Sequence, residues 1–193
     1  MTLIVNKVTS PRPKYWTKSE YLNLATLPGA EDAQFFLLRG ELIQMPPMGT
    51  PHAIGVQNCM YWAINAFRPR LDVRVQMPFD AQGDSMPEPD VAIVTQSENR
   101  KSSHPASAEL IIEVSNTTLI FDRALSVEYA AAGVPLYWII DVKRRVMEVR
   151  SEVIDDPQSP TGKNYGNLRT LTENDIADTF DPNVRVAVKE LLP

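Results

Sequence analysis

Two acidic residues stand where apolar strands are expected. Glu113 lies inside Leu110-Ile111-Ile112-Glu113-Val114, a run that reads as a strand buried on both faces. Asp90 heads a second such run, Asp90-Val91-Ala92-Ile93-Val94, twenty-three residues upstream. Burying a carboxylate is costly unless something compensates its charge. Two acids on neighbouring core strands supply the hard oxygen ligands of a divalent-cation site for phosphate chemistry. Without a cation, carboxylates about 4 Å apart would repel by roughly 4 kcal/mol at an effective dielectric of about 20, so one would be expected to take up a proton. The structural alternative is a buried ion pair of Glu113 with Arg123 or Arg74, and Asp90 alone would pass for a water-exposed acid at a strand start.

The elements that must position these acids follow from hydrophobic spacing. Thr17-Lys18-Ser19-Glu20 fits a capping box and opens a short helix to about Leu24. Phe35 to Met45 predicts two strand segments with a bend at Gly40. The breaker-rich loop Met45 to Pro51 leads into a helix ending near Phe67, with Ala53, Val56, Met60, Ala63 and Phe67 as its buried face. His52, near the start of that helix, could face a phosphate or simply hydrogen-bond at the helix start. Asp72 to Phe79 alternates like a half-exposed strand, and strands over 90–95 and 108–115 carry the acids. Phe121, Ala124, Leu125, Tyr129 and Ala132 form the stripe of a second helix, stopped at Gly133. Leu136 to Val142 is another apolar strand, and Lys143-Arg144-Arg145 turns it into an alternating strand, Val146 to Val153. Residues 155–166 read as a loop, with short strands expected near 168–171 and 184–188.

No repeat or linker divides the chain, so a single domain over residues 1–193 is expected, with 1–14 as a loose arm. The strand–strand–helix–strand order over 90–142 implies an α/β fold, a mixed sheet flanked by helices. A right-handed crossover through 120–132 would set strand 136–142 parallel to strand 108–115.

Composition narrows the function classes. A chain of 193 residues with 44% hydrophobic content can bury one substantial core. A net charge of −5 argues against a protein that coats nucleic acid non-specifically, yet leaves room for a cleft where a cation or a few arginines reverse the field. Cys59, the single cysteine, forms no internal disulfide and suits the core of a protein in a reducing compartment. Leu3-Ile4-Val5 is too short for a signal peptide and no run approaches 18 apolar residues, so a cytoplasmic protein without membrane contact is expected. Two histidines and one cysteine do not make a zinc site. The absence of a glycine-rich phosphate loop or a nucleophile elbow weakens nucleotide-hydrolase and esterase readings.

A wider series of residues resembles a known family. Gly40-Glu41-Leu42, Met45-Pro46-Pro47, His52, Pro87-Glu88-Pro89-Asp90, His104-Pro105, Glu109 to Ser115, Thr117-Thr118, Phe121-Asp122-Arg123 and Tyr129 to Asp141 follow one another as in a bacterial family of restriction-endonuclease-like proteins of the PD-(D/E)XK nuclease superfamily. The resemblance spans roughly residues 17–190. It implies a restriction-endonuclease-like core, Mg²⁺ (or Mn²⁺) as cofactor and hydrolysis of DNA phosphodiesters. It further implies Asp90 and Glu113 as ligands, with the Val114 carbonyl and Glu41 completing the metal site and His52 facing substrate. One feature departs from the pattern. Ser115 stands where the motif has lysine, and on the following helix the family's lysine position falls on Leu125 or Ser126, because the segment is one residue short. Arg123 is the only basic side chain on that helix and the candidate catalytic cation, although a guanidinium does not readily transfer protons. The resemblance therefore also admits a degenerate nuclease fold that no longer cleaves and serves as a nucleic-acid-binding or interaction module. A homodimer joined through an edge strand stays open.

Overall fold

The computed structural model of the protein describes residues 12–24, 26, 35–96 and 103–193; the arm expected over residues 1–14 lies outside these apart from its last three. Around the acids the elements run β3 (Leu71–Val75), β4 (Val91–Thr95), β5 (Leu110–Ser115), α3 (Leu119–Ala131), β6 (Leu136–Asp141), β7 (Val146–Asp155) and β8 (Lys163–Thr172). Ahead of them come α1 (Lys18–Leu24), β1 (Phe35–Leu38), β2 (Glu41–Gln44) and α2 (Thr50–Phe67); behind them come β9 (Ile176–Asp178), β10 (Arg185–Ala187) and α4 (Val188–Leu191).

The main sheet has the order β3-β4-β5-β6-β7-β8 and is antiparallel except where β5 and β6 pair in parallel, as the crossover through α3 requires. Both acid-bearing strands lie inside this sheet, which is why they read as continuous apolar runs. Side chains alternate across a strand, so even-numbered Ile112 and Val114 face α2 while odd-numbered Ile111 and Glu113 face α3. Val56, Cys59, Ala63 and Phe67 carry α2 onto the first face, where Trp62 stacks on Trp138 with ring centroids 5.5 Å apart. Leu125 and Tyr129 carry α3 onto the second, against Ile111, Tyr137 and Ile139. Gly55 lets α2 approach closely: a Cβ there would stand 2.7 Å from Cγ1 of Val114.

The capping box forms as expected, with the Thr17 amide donating to Glu20 Oε2 at 2.9 Å and the Glu20 amide to Thr17 Oγ1 at 3.2 Å. The bend at Gly40 is also present, built on left-handed backbone at Arg39 and Gly40, φ 48° and 80°. Three expectations need correction. The loop read over 155–166 is confined to 156–162, the turn of a hairpin whose two ten-residue strands, β7 and β8, take in Asp155 and residues 163–166. Those strands expose many positions, which weakens the alternation on which sequence patterning relies. The final strand is shorter than 184–188, because the chain turns into α4 at Val188. On α3, Ala124 is exposed, whereas Asp122, Ser126 and Glu128 are buried. That stripe is therefore part polar. Among the described residues no helix is long and apolar enough to cross a membrane.

Candidate metal centre

Strand register brings the two acids together. Val91 pairs with Ile112, Ala92 with Ile111 and Ile93 with Leu110, so one further step of the same antiparallel register sets Asp90 opposite Glu113. Both side chains fall on the α3 face of the sheet, and each residue is 6% exposed. They brace each other through the backbone: the Asp90 amide donates to Glu113 Oε2 at 3.1 Å, and the Val114 amide donates to Asp90 Oδ2 at 2.8 Å. The remaining oxygens are held from the flanks. Tyr129 donates its hydroxyl to Glu113 Oε1 at 2.7 Å, while Asp90 Oδ1 lies 3.3 Å from the Gln76 amide nitrogen and 3.1 Å from His52 Nε2. Every carboxylate oxygen has at least one partner, which fixes the geometry and leaves further lone pairs for an ion.

Among the described residues no lysine or arginine balances the pair. It opens into a cleft of about 310 Å³ whose lining contains Glu88, Asp90, Glu113 and Asp122 but no lysine or arginine. Burial first, then the Asp90 charge and then that of Asp122, push the Glu113 carboxyl well above the usual range. Burial likewise pushes Asp122 up to about 6, against the pull of the Thr118 hydroxyl that donates to it at 2.7 Å. Hydrogen bonding to Asp90 draws the His52 pKa upward against burial. The alternative of a buried Glu113 ion pair is thereby removed: Arg74 contacts the Pro78 carbonyl and His104, and Arg123 is turned elsewhere.

The donor set and its excess charge fit a hard divalent cation. Among the described residues no three His, Cys, Asp or Glu side chains are gathered to hold an ion alone. Two carboxylates would suffice for a hard cation such as Mg²⁺, which takes one or two and leaves its other positions to water and phosphate oxygens.

Residues 19–181 match a family, Uma2, described as putative restriction endonuclease. The chain belongs to that family. The fold is that of a crystal structure of a putative nuclease of family DUF820 from Anabaena variabilis, similar at a TM-score of 0.68 with 17% identity over 91% of this chain and 96% of that one. Among curated proteins, none matches.

Measured against the family's pattern, the remaining sequence candidates divide. His52 lines the cleft. Val114 contributes its amide to Asp90, and its side chain packs on the opposite face beside Gly55. Glu41 is exposed at the start of β2 and does not line the cleft. Arg123, expected as the catalytic cation, is also absent from the lining; its guanidinium Nε lies 3.0 and 3.1 Å from the two carboxylate oxygens of Glu148, which Arg150 also contacts at 2.9 Å. A buried carboxylate on β7 draws the only basic group of α3 away from the acids. The structure also separates the two positions left open for the missing lysine. Leu125 lines the cleft, whereas the Ser126 hydroxyl donates to the Arg123 carbonyl.

Four residues at the site had no role in the sequence reading. Tyr129 read as part of an apolar stripe, yet a buried phenol hydroxyl needs a partner, and that requirement was the available signal. Asp122 follows Thr118 by one helical turn, a polar pair at the start of an apolar helix. Gln76 reaches the site because its backbone, at φ 49°, turns off the end of β3, and Asn116 because β5 stops there. Neither carries a recognisable pattern.

Proposed function

We propose that the protein is a Mg²⁺-dependent endonuclease that hydrolyses DNA phosphodiester bonds, with Asp90 and Glu113 as the metal ligands. The observation that carries this reading is the buried acid pair, held in place by five hydrogen bonds from Val114, Asp90, Gln76, His52 and Tyr129 and, among the described residues, met in its cleft by no lysine or arginine. When bound, Mg²⁺ supplies Lewis-acid polarisation of a phosphoryl oxygen and eases deprotonation of an attacking water. The chain's part is orientation. The Val114 amide and Gln76 fix the plane of Asp90, Tyr129 fixes Glu113, and the Val114 carbonyl is a further oxygen at the same strand end. His52, on the wall of the cleft, is the one side chain there able to carry positive charge toward a phosphate. Membership of a family described as putative restriction endonuclease supports the same reaction class.

Cleavage of supercoiled plasmid and of single-stranded DNA in Mg²⁺ or Mn²⁺ tests the reading. Asp90→Ala and Glu113→Ala should each lower the rate by at least about 100-fold, the scale of losing one preorganised group at a reaction centre. Activity that survives both substitutions rules it out. A second readout is thermal: Mn²⁺ at about 100 times its Kd should stabilise the wild type by about 2.7 kcal/mol and leave both variants unchanged.

A second reading, an inactive fold that binds nucleic acid, is favoured by one observation: of the two positions left open for the motif lysine, the one that lines the cleft is Leu125. Leu125→Lys separates the two. If that variant cuts and the parent does not, the parent is a pseudo-enzyme.

A further inference from the structure

The cleft is two-sided. Its floor is the carboxylate pair, and its walls are apolar: Phe35 and Phe36 from β1, Met45 and Met48 from the loop between β2 and α2, and Phe121 from the first turn of α3. Phe36 and Phe121 form a tilted pair with centroids 5.8 Å apart. Phe36 is buried beneath, while Phe35 and Phe121 are partly exposed and Met48 is 47% exposed, so aromatic and thioether surface faces the same space as the acids.

Duplex DNA is a poor fit to such a site. Affinity for a duplex comes largely from lysine and arginine set against phosphates, and this lining supplies none. Cations on the elements around it already hold carboxylates: Arg39 with Glu128, Arg123 with Glu148 and Lys18 with Asp80. At about 310 Å³ the cleft lies at the small end of the roughly 300–1,000 Å³ typical of small-molecule sites, nucleotide-sized rather than a trough for a length of helix. A base within a duplex also hides both faces in the stack. An unpaired base offers one, and every base has it.

Resting on the hydrolytic reading above, we infer that the substrate enters as an unpaired nucleotide, its base against Phe121 and Phe35 and its phosphodiester over Asp90 and Glu113. The protein's substrate class is then single-stranded DNA, or the frayed and looped parts of a duplex. Stacking, rather than phosphate neutralisation, supplies the affinity. Phe121 immediately precedes Asp122 on α3, so the first turn of that helix supplies part of the apolar wall and a further acid of the lining.

The test is fluorescence anisotropy with a fluorescein-labelled single-stranded dodecamer and its blunt duplex, in Ca²⁺ to hold the metal site without turnover, run beside cleavage assays in Mn²⁺. The single strand should bind at least tenfold more tightly than the duplex. Phe121→Ala should weaken single-strand binding by about 5- to 150-fold, the span of one lost base–aromatic stack. Phe121→Tyr keeps the ring and should stay within about twofold of wild type, a rescue that mere loss of folding would not show. Equal binding of both DNAs, or an unchanged Kd in a Phe121→Ala protein with wild-type circular dichroism, overturns the inference. Equal cleavage of both forms overturns it while leaving hydrolysis intact. Strong single-strand preference without cleavage upholds the stacking site for an unpaired base, now as a binding site, and removes the hydrolytic reading instead.

Discussion

Glu113 is a buried acid whose ionisation the fold disfavours. Its folded-state pKa stands above its unfolded value because burial and the Asp90 carboxylate disfavour ionisation. Between those two values the folded chain holds a proton that the unfolded chain has released, so metal-free stability falls as pH rises through the window. Asp122 acts in the same direction between its ordinary value and about 6. His52, drawn up by Asp90, contributes stability that is present below its unfolded value and is lost as pH rises through its folded value. All three make the metal-free protein more stable near pH 5 than near pH 8. Glu113→Gln should raise the metal-free melting temperature at pH 8, by roughly 2–4 °C for each kcal/mol relieved, and shrink the difference between pH 5 and pH 8. The same variant should lose its Mn²⁺-induced shift. A melting temperature unchanged at both pH values would show that Glu113 is not under electrostatic strain. Arg123 serves another purpose, tying α3 to Glu148 on β7. With Arg150 still holding Glu148 and the guanidinium partly in water, Arg123→Ala should cost about 1–2 kcal/mol and leave cleavage within about threefold, which melting curves and initial rates check.

At the scale of elements, the site depends on how closely α2 lies on β5. Gly55 makes that approach possible, because the opposing atom is a short branched methyl of Val114, a residue only 1% exposed and unable to turn aside. Gly55→Ala should therefore lift the first turns of α2, displace His52 three residues upstream and cost about 1–3 kcal/mol by overpacking. Val114→Ala in the same protein removes the clash. A double-mutant cycle read by denaturant melts should then give a coupling of at least about 0.5 kcal/mol in the compensating direction. Additive losses would show that α2 is not seated on that contact.

Across the whole molecule, charge is arranged against general nucleic-acid binding. A net charge of −5 and an uncharged-to-acidic cleft mean that few counterions are released on binding. The affinity for a single-stranded oligonucleotide should fall with salt at a log–log slope of only about 1–2, whereas a protein that neutralises six to ten phosphates shows several times that. A steep slope in a titration from 50 to 200 mM salt would place the binding surface outside the cleft.

Much of this architecture could be read along the chain. The apolar runs around Asp90 and Glu113, the three- and four-residue spacing of α2 and the break at Gly133 are local signals, because burial on a strand or a helix face imposes a short period on the residues themselves. The acid pair was legible for the same reason: a carboxylate inside a buried run has to be explained by something it meets. What it meets was decided only in three dimensions. Register set Asp90 opposite Glu113, a buried glutamate on a distant hairpin drew Arg123 away, and helix rotation chose Leu125 over Ser126 to face the cleft. Those outcomes depend on contacts between residues far apart in the chain, whose free energies no local period records.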